Sequence, residues 1–209
     1  MILLIKIIFI LNEGDNLQFE EKKINYIKND LKNRFSSKRY LHTEGVVDIA
    51  VKLAKKNGVK VEKAAIAALL HDYAKPLSQK KLIKYARNSN INIDETEFEI
   101  PELLHAPVGA FLAKNKYDII DKDIFKAIRY HTIGKPGINN LGLIIFAADF
   151  IEPNRNFPGV KDLREVADKK TLSELTVAVC DQSIRYNLDL RKNIHPNTLL
   201  LRNEHLGGK

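Results

Sequence analysis

Cysteine is nearly absent. Cys180 is the only one among 209 residues, which excludes an intramolecular disulfide and any zinc site built on several thiolates, and fits a reducing compartment. No stretch alternates apolar and polar residues between hairpin turns, and no segment repeats, so nothing points to a sheet. There is no arginine-rich tail and no interleaving of aromatic and basic residues that would stack nucleic-acid bases. The net charge is nevertheless +8. Such a balance suits a nucleic acid, an anionic surface or a polyanionic small substrate. The lysines are scattered through "KLAKKNG", "SQKKLIKYARN" and "DKKT" and read as solvated helix faces. Long apolar runs are also missing. The opening "MILLIKIIFIL" has eleven residues, where a bilayer span needs about 20. It has neither the basic start nor the small-residue cleavage site of a signal peptide. Residues 1–18 are therefore expected to be an appendage to a soluble, cytoplasmic protein with no membrane partner, and residues 19–209 its one domain.

What remains is an ordinary globular composition, 44% hydrophobic and 29% charged, long enough for one sizeable core. From Phe19 onward apolar residues recur at helical spacing. Ile24, Ile27, Leu31 and Phe35 form one stripe; Val46, Ile49, Ala50 and Leu53 form the next, stopped by Gly58. "VEKAAIAALLH" is apolar on most faces, as a central helix is. Ser78 opens "SQKKLIKYARN", and the polar stretch "NSNINIDETEFE" separates it from "IPELLHAPVGAFLAKN", where Pro101 suits a first turn. "DKDIFKAIRYHTIG", "LGLIIFAADFIEP" and a last long helix, "LSELTVAVCDQSIRYNLDLRKN", follow. The fold class is all-α, a single helical bundle.

Four of the six histidines lie on these buried stripes. His42 precedes Val46 and Ile49 at helical spacing, His71 closes the most apolar helix, His105 aligns with Val108 and Leu112, and His131 aligns with Ile124, Ala127 and Ile128. Asp72 follows His71, and Asp149 sits inside "LIIFAADFI". Any one of these histidines alone reads as a core residue bonded to a backbone carbonyl. Buried ionised carboxylates, however, have to be paired, protonated or metal-bound. If the four imidazoles and two carboxylates converge, they supply nitrogen and oxygen ligands without thiolate. Such a set suits iron, manganese, zinc or another divalent ion.

The order His42, His71-Asp72, His105, His131, Asp149 resembles the HD-domain metal-dependent phosphohydrolases. The blocks "RYLHTEGVVDIAVKLA", "AALLHDYAK", "LLHAPVGA", "IRYHTIG", "AADFIEPNR" and "IHPNTLLLRN" are similar to the YqeK-type branch, bacterial enzymes that split diadenosine tetraphosphate symmetrically into two ADP. The resemblance runs from about Ser36 to Leu206. It implies that His42, His71, Asp72 and Asp149 hold a principal metal, iron in that branch, and that His105 and His131 hold a second ion or touch phosphate. It also implies that the 193–198 segment (Asn193, Ile194, His195, Pro196, Asn197, Thr198) approaches the nucleoside.

The chemistry then expected is phosphoanhydride hydrolysis by water activated at the metal, with no protein nucleophile. Asp72 and Lys75 are the catalytic candidates. Arg39, one turn before His42, and Arg155, just past Asp149, are candidates for phosphate, since an arginine fork matches phosphate geometry. The alternative for each is a surface salt bridge. Thr132 is placed to donate to phosphate, and His195 and His205 read as non-ligands. Two other readings stay open: a different nucleotide phosphohydrolase or phosphodiesterase using the same site, and a basic helical module that binds nucleic acid. Oligomeric state is open too.

Overall fold

The computed structural model describes residues 14–206, with side chains from Glu20 onward; the expectation for "MILLIKIIFIL" lies outside the described residues. Among the described residues, eleven α-helices follow in chain order: α1 (Gly14–Arg34), α2 (Ser37–Lys56), α3 (Val61–Leu70), α4 (Gln79–Asn88), α5 (Glu95–Glu99), α6 (His105–Tyr117), α7 (Lys122–Tyr130), α8 (Asn140–Ile151), α9 (Val160–Lys169), α10 (Leu172–Asp189) and α11 (Pro196–Leu206). A 3₁₀ turn, Pro101–Leu104, leads into α6. No strand occurs among the described residues, and none of their helices is long and apolar enough to cross a membrane. Helix α1 starts at Gly14 and so runs across the 18/19 boundary expected from composition.

The helix ends have local causes. The Ser36 hydroxyl accepts the Arg39 N–H at the start of α2, and Gly58, at φ +65°, turns the chain just past its end. Asp121 caps α7 through the N–H groups of Asp123 and Ile124, and Asn139 caps α8 through Gly142. Every residue of α3 from Ala64 to Leu70 is buried. This helix is the axis of the bundle, with α2, α7 and α8 against it. Its end therefore delivers His71 and Asp72 into the middle of the molecule. A second, smaller cluster (Ala74, Leu82, Ala86, Leu104, Val108) seats α4 beneath the start of α6.

Three parts of the expected layout need correction. The polar stretch 88–99 holds a helix of its own, α5, opened by a capping box in which the Asp94 and Glu97 side chains each accept the other's backbone N–H. Helix α9 lies where no element was expected; its buried Val160, Leu163 and Ala167 follow helical spacing. The last helix is α11, which starts inside the segment read as the "NIHPNT" loop. Pro196 is its first residue, a position where the missing N–H has no intrahelical partner to lose.

Cys180 is fully buried in α10, and burial, helped by the neighbouring Asp181, pushes its thiol up to about 12. Since the thiolate is the reactive form, the folded protein is expected to resist iodoacetamide at neutral pH and to be fully alkylated in denaturant. Mass spectrometry of the two reactions checks this.

Candidate metal centre

Three of the four stripe histidines stand at helix ends rather than in mid-stripe. His71 follows the last residue of α3, His131 follows the last residue of α7, and His105 is the first residue of α6. Each turns its Nδ1 onto the carbonyl three residues back: His71 onto Ala68 at 2.6 Å, His105 onto Glu102 at 2.5 Å, His131 onto Ile128 at 2.8 Å. A carbonyl only accepts, so Nδ1 carries the proton and Nε2 keeps a lone pair that faces inward. A carbonyl-bonded core histidine can thus also be a candidate ligand. His42, inside α2, takes a side-chain partner instead, with Nδ1 at 3.2 Å from Glu152 Oε1.

The four Nε2 atoms converge. His42 and His71 are 3.3 Å apart at Nε2, and His105 and His131 are 3.2 Å apart. Asp72 lies between the two pairs. Its Oδ2 faces His42 at 3.7 Å and His71 at 3.6 Å; its Oδ1 faces His105 at 3.3 Å and His131 at 3.7 Å. Asp149 Oδ1 closes the first pair, 3.2 Å from His42 and 4.0 Å from His71. Three overlapping triads, His42–His71–Asp72, His71–His131–Asp149 and Asp72–His105–His131, each keep their ligand atoms within 4.8 Å of one another. Lone pairs aimed at one another, among carboxylate oxygens, fit a cation. The division of Asp72 between the pairs sets one carboxylate oxygen against each pair.

The electrostatics agree. Burial brings His71 down to about 4, more than Asp72 restores. His105 is lowered by burial too, with Lys75 adding to it, so both rings are neutral donors at pH 7. Burial works upward on Asp72, but His71, His105 and His131 outweigh it and hold the carboxyl well below its usual range. Asp149 is likewise depressed: His42 and Arg155 overcome the effect of burial. For His42 burial acts downward, and the carboxylates of Asp149 and Glu152 reverse it.

Both candidate arginines reach this cluster. Arg39 Nη1 pairs with Asp72 Oδ2. Arg155 Nη2 lies 2.5 Å from Asp149 Oδ1, with its Nε on the Asp149 carbonyl at 2.8 Å. Lys75 Nζ is 3.4 Å from both ring nitrogens of His105, a contact with the ring rather than one directed bond. Thr132 Oγ1 is 3.1 Å from His131 Nε2 and 3.3 Å from His105 Nε2. The 193–198 segment differs from a free loop. His195 is buried with Nε2 2.9 Å from Asp94, its Nδ1 accepts the Asn197 N–H, and the Thr198 hydroxyl donates to the Ile133 carbonyl. Asn193 and Pro196 are exposed, and Ile194 and Asn197 are half-buried. The segment thus rests on the α7–α8 turn beside His131 and Thr132 without joining the cluster. His205 bonds Ser173, away from it.

Two residues of the site escaped the sequence reading. Glu152 is buried and bonded to His42. Arg164, on the unexpected α9, donates to the carbonyls of Ile151, Glu152 and Arg155 and so holds the end of α8. A charged residue directly before a proline and after an apolar helix was the available signal for Glu152. Arg164 has none in one sequence.

The chain matches the HD domain model over residues 39–182. It is 36% identical to the "Bis(5'-nucleosyl)-tetraphosphatase, symmetrical" of Bacillus subtilis, covering 85% of this chain and 95% of that protein. To the protein of the same name in Halalkalibacterium halodurans it is 39% identical over 84% and 93% of the two chains. Among solved structures, an HD superfamily hydrolase from Clostridium acetobutylicum, described as involved in NAD metabolism, superposes with a TM-score of 0.83 at 38% identity, over 88% of this chain and 97% of that one. With five ligand-type side chains gathered around Asp72, the chain belongs to the HD domain family and, within it, to the group of the symmetrical bis(5'-nucleosyl)-tetraphosphatases.

Proposed function

We propose that this protein hydrolyses diadenosine tetraphosphate, and dinucleoside polyphosphates like it, symmetrically to two ADP, with a divalent metal held by His42, His71, Asp72 and Asp149. The observation that carries this reading is the convergence of those side chains, with His105 and His131, around the buried Asp72, with Arg39 paired to Asp72 and Arg155 to Asp149. The group to which the chain belongs supports the substrate class. Iron is the metal we propose, from the resemblance to that group; the thiolate-free donor set is compatible with it and with manganese. Metal analysis of the purified protein tests the identity. We propose a cytoplasmic setting on the same grounds.

A divalent ion at this site lowers the pKa of water from about 15.7 toward 7 and offsets charge developing on phosphoryl oxygens. The chain's own residues do the rest. Asp72 and Asp149 balance the positive charge of the site, while neutral His71 and His105 leave their lone pairs available. Arg39 and Arg155, a third to two-fifths exposed at their side chains, stand at its rim, where their forks can take phosphate oxygens. Thr132 offers a hydroxyl beside His105 and His131, and Lys75 adds a point charge. The 193–198 segment borders the place for the nucleoside.

If this pocket holds one nucleoside diphosphate unit, water attacks the second phosphorus from that nucleoside. The anhydride bond to the third phosphorus breaks, ADP departs from one end, and ADP remains in the pocket. Hydrolysis in isotopically labelled water, followed by chromatography, should give ADP alone with the label on a β-phosphate. ATP plus AMP would overturn the symmetrical reading. Arg39→Ala and Arg155→Ala should keep the metal and handle the tetraphosphate worse, each by about 1.5–3 kcal/mol, the worth of a hydrogen bond to a charged group. Steady-state kinetics with metal analysis checks this; unchanged kinetics would return both arginines to plain surface pairing.

A further inference from the structure

We infer that Glu152 is the positioning residue of the site: one carboxylate oxygen fixes the ring of His42, and the other fixes the turn that carries Arg155. The inference rests on the metal reading proposed above.

His42 cannot use the device of the other three histidines. It sits in mid-helix, and the carbonyl three residues back, that of Arg39, already accepts the Thr43 hydroxyl at 3.0 Å. Its Nδ1 needs an acceptor from elsewhere. Glu152 Oε1 supplies it at 3.2 Å, from a side chain that is 1% exposed. Glu152 Oε2 accepts the Asn154 backbone N–H at 2.6 Å and the Asn154 amide at 3.0 Å. The Arg155 N–H in turn donates to the Glu152 carbonyl at 3.0 Å. Arg164 grips that same carbonyl at 2.6 Å from α9. One residue thus sets the orientation of a ligand on α2 and the course of the chain between Asp149 and Arg155.

Helix α2 is shaped to admit it. Gly45 lies on α2 one turn past His42, and a Cβ there would fall 2.5 Å from Glu152 Oε2, 3.2 Å from Pro153 and 3.3 Å from the Asn154 amide. Glycine in a helix interior is disfavoured relative to alanine, and here it opens the space the carboxylate occupies. Partners that orient a ligand histidine commonly matter about 10–100-fold in metal affinity.

The test is manganese(II) affinity by competition with a chromogenic chelator, without nucleotide, alongside thermal melting of the metal-free protein. Glu152→Ala should bind manganese about 10–100-fold more weakly. Glu152→Gln should lose less, because its amide oxygen still accepts from His42. Gly45→Ala should resemble Glu152→Ala although every ligand is present, since it displaces the carboxylate. If Glu152→Ala does not fold, the nearly isosteric Glu152→Gln and Gly45→Ala carry the readout. Wild-type affinity in the folded variants, with only the melting temperature lowered, would overturn the inference. Failure of the wild-type protein itself to bind either manganese(II) or iron(II) would overturn it together with the metal reading, whereas products other than ADP would leave it untouched.

Discussion

Asp72→Ala is expected to abolish hydrolysis and to lower the metal content of the purified protein. The residue is 4% exposed and divides its two oxygens between the His42–His71 pair and the His105–His131 pair. It also carries the partner of Arg39. Removing it leaves that arginine and any bound cation without their shared counter-charge. The variant loses the one carboxylate that faces both histidine pairs, so the loss should fall on metal content and turnover together. Asp72→Asn separates charge from shape and should fail nearly as badly. Metal analysis and turnover measured on one preparation decide the matter. Turnover near the wild-type rate would remove the metal mechanism.

Arg129→Ala should produce the largest loss of stability among single changes outside the metal cluster. Arg129 is 6% exposed and Glu97 is 1% exposed. They meet through two parallel bonds, at 2.6 and 2.5 Å, and Arg129 also donates to the Asn92 carbonyl at 2.9 Å. Truncating the arginine strands a buried carboxylate, again about 3–5 kcal/mol. At about 2–4 °C per kcal/mol for a chain of this size, the melting temperature should fall by roughly 6–20 °C. The double change Glu97→Gln with Arg129→Met should be less damaging than Arg129→Ala alone, since no charge is then stranded. A shift below about 2 °C in the single variant would show that water reaches Glu97 after all.

Much of the fold and the site could be read before any coordinates, because burial writes itself into spacing. Ile27, Leu31 and Phe35, or Val46, Ala50 and Leu53, announce a helix face, and a histidine or aspartate on such a face is conspicuous. Where polar residues did structural work the reading failed. The capping box of Asp94 and Glu97 was visible as a spacing in "DETE", yet the stretch passed for a separator because its buried member is charged and meets a partner 32 residues away. Helix α11 was hidden by Pro196, which suggests a loop and here starts a helix. The pairing of His42 with Glu152 spans 110 residues, and no local pattern encodes it. The ligand types were legible; the side chains that aim them were not.

The carbonyl bonds behind His71, His105 and His131 have a consequence for the order in which the centre assembles. Each of these rings is oriented by atoms of its own helix end, so its aim is set as soon as α3, the turn before α6, or α7 has formed. The His42 side has no such local support and waits until α2 and α8, far apart along the chain, have met. Closing a long loop carries an entropic cost that local turns avoid. During folding, the half of the site around His105 and His131 should therefore be ready first, and an ion caught between His42 and Asp149 would act as the last fastening of the bundle.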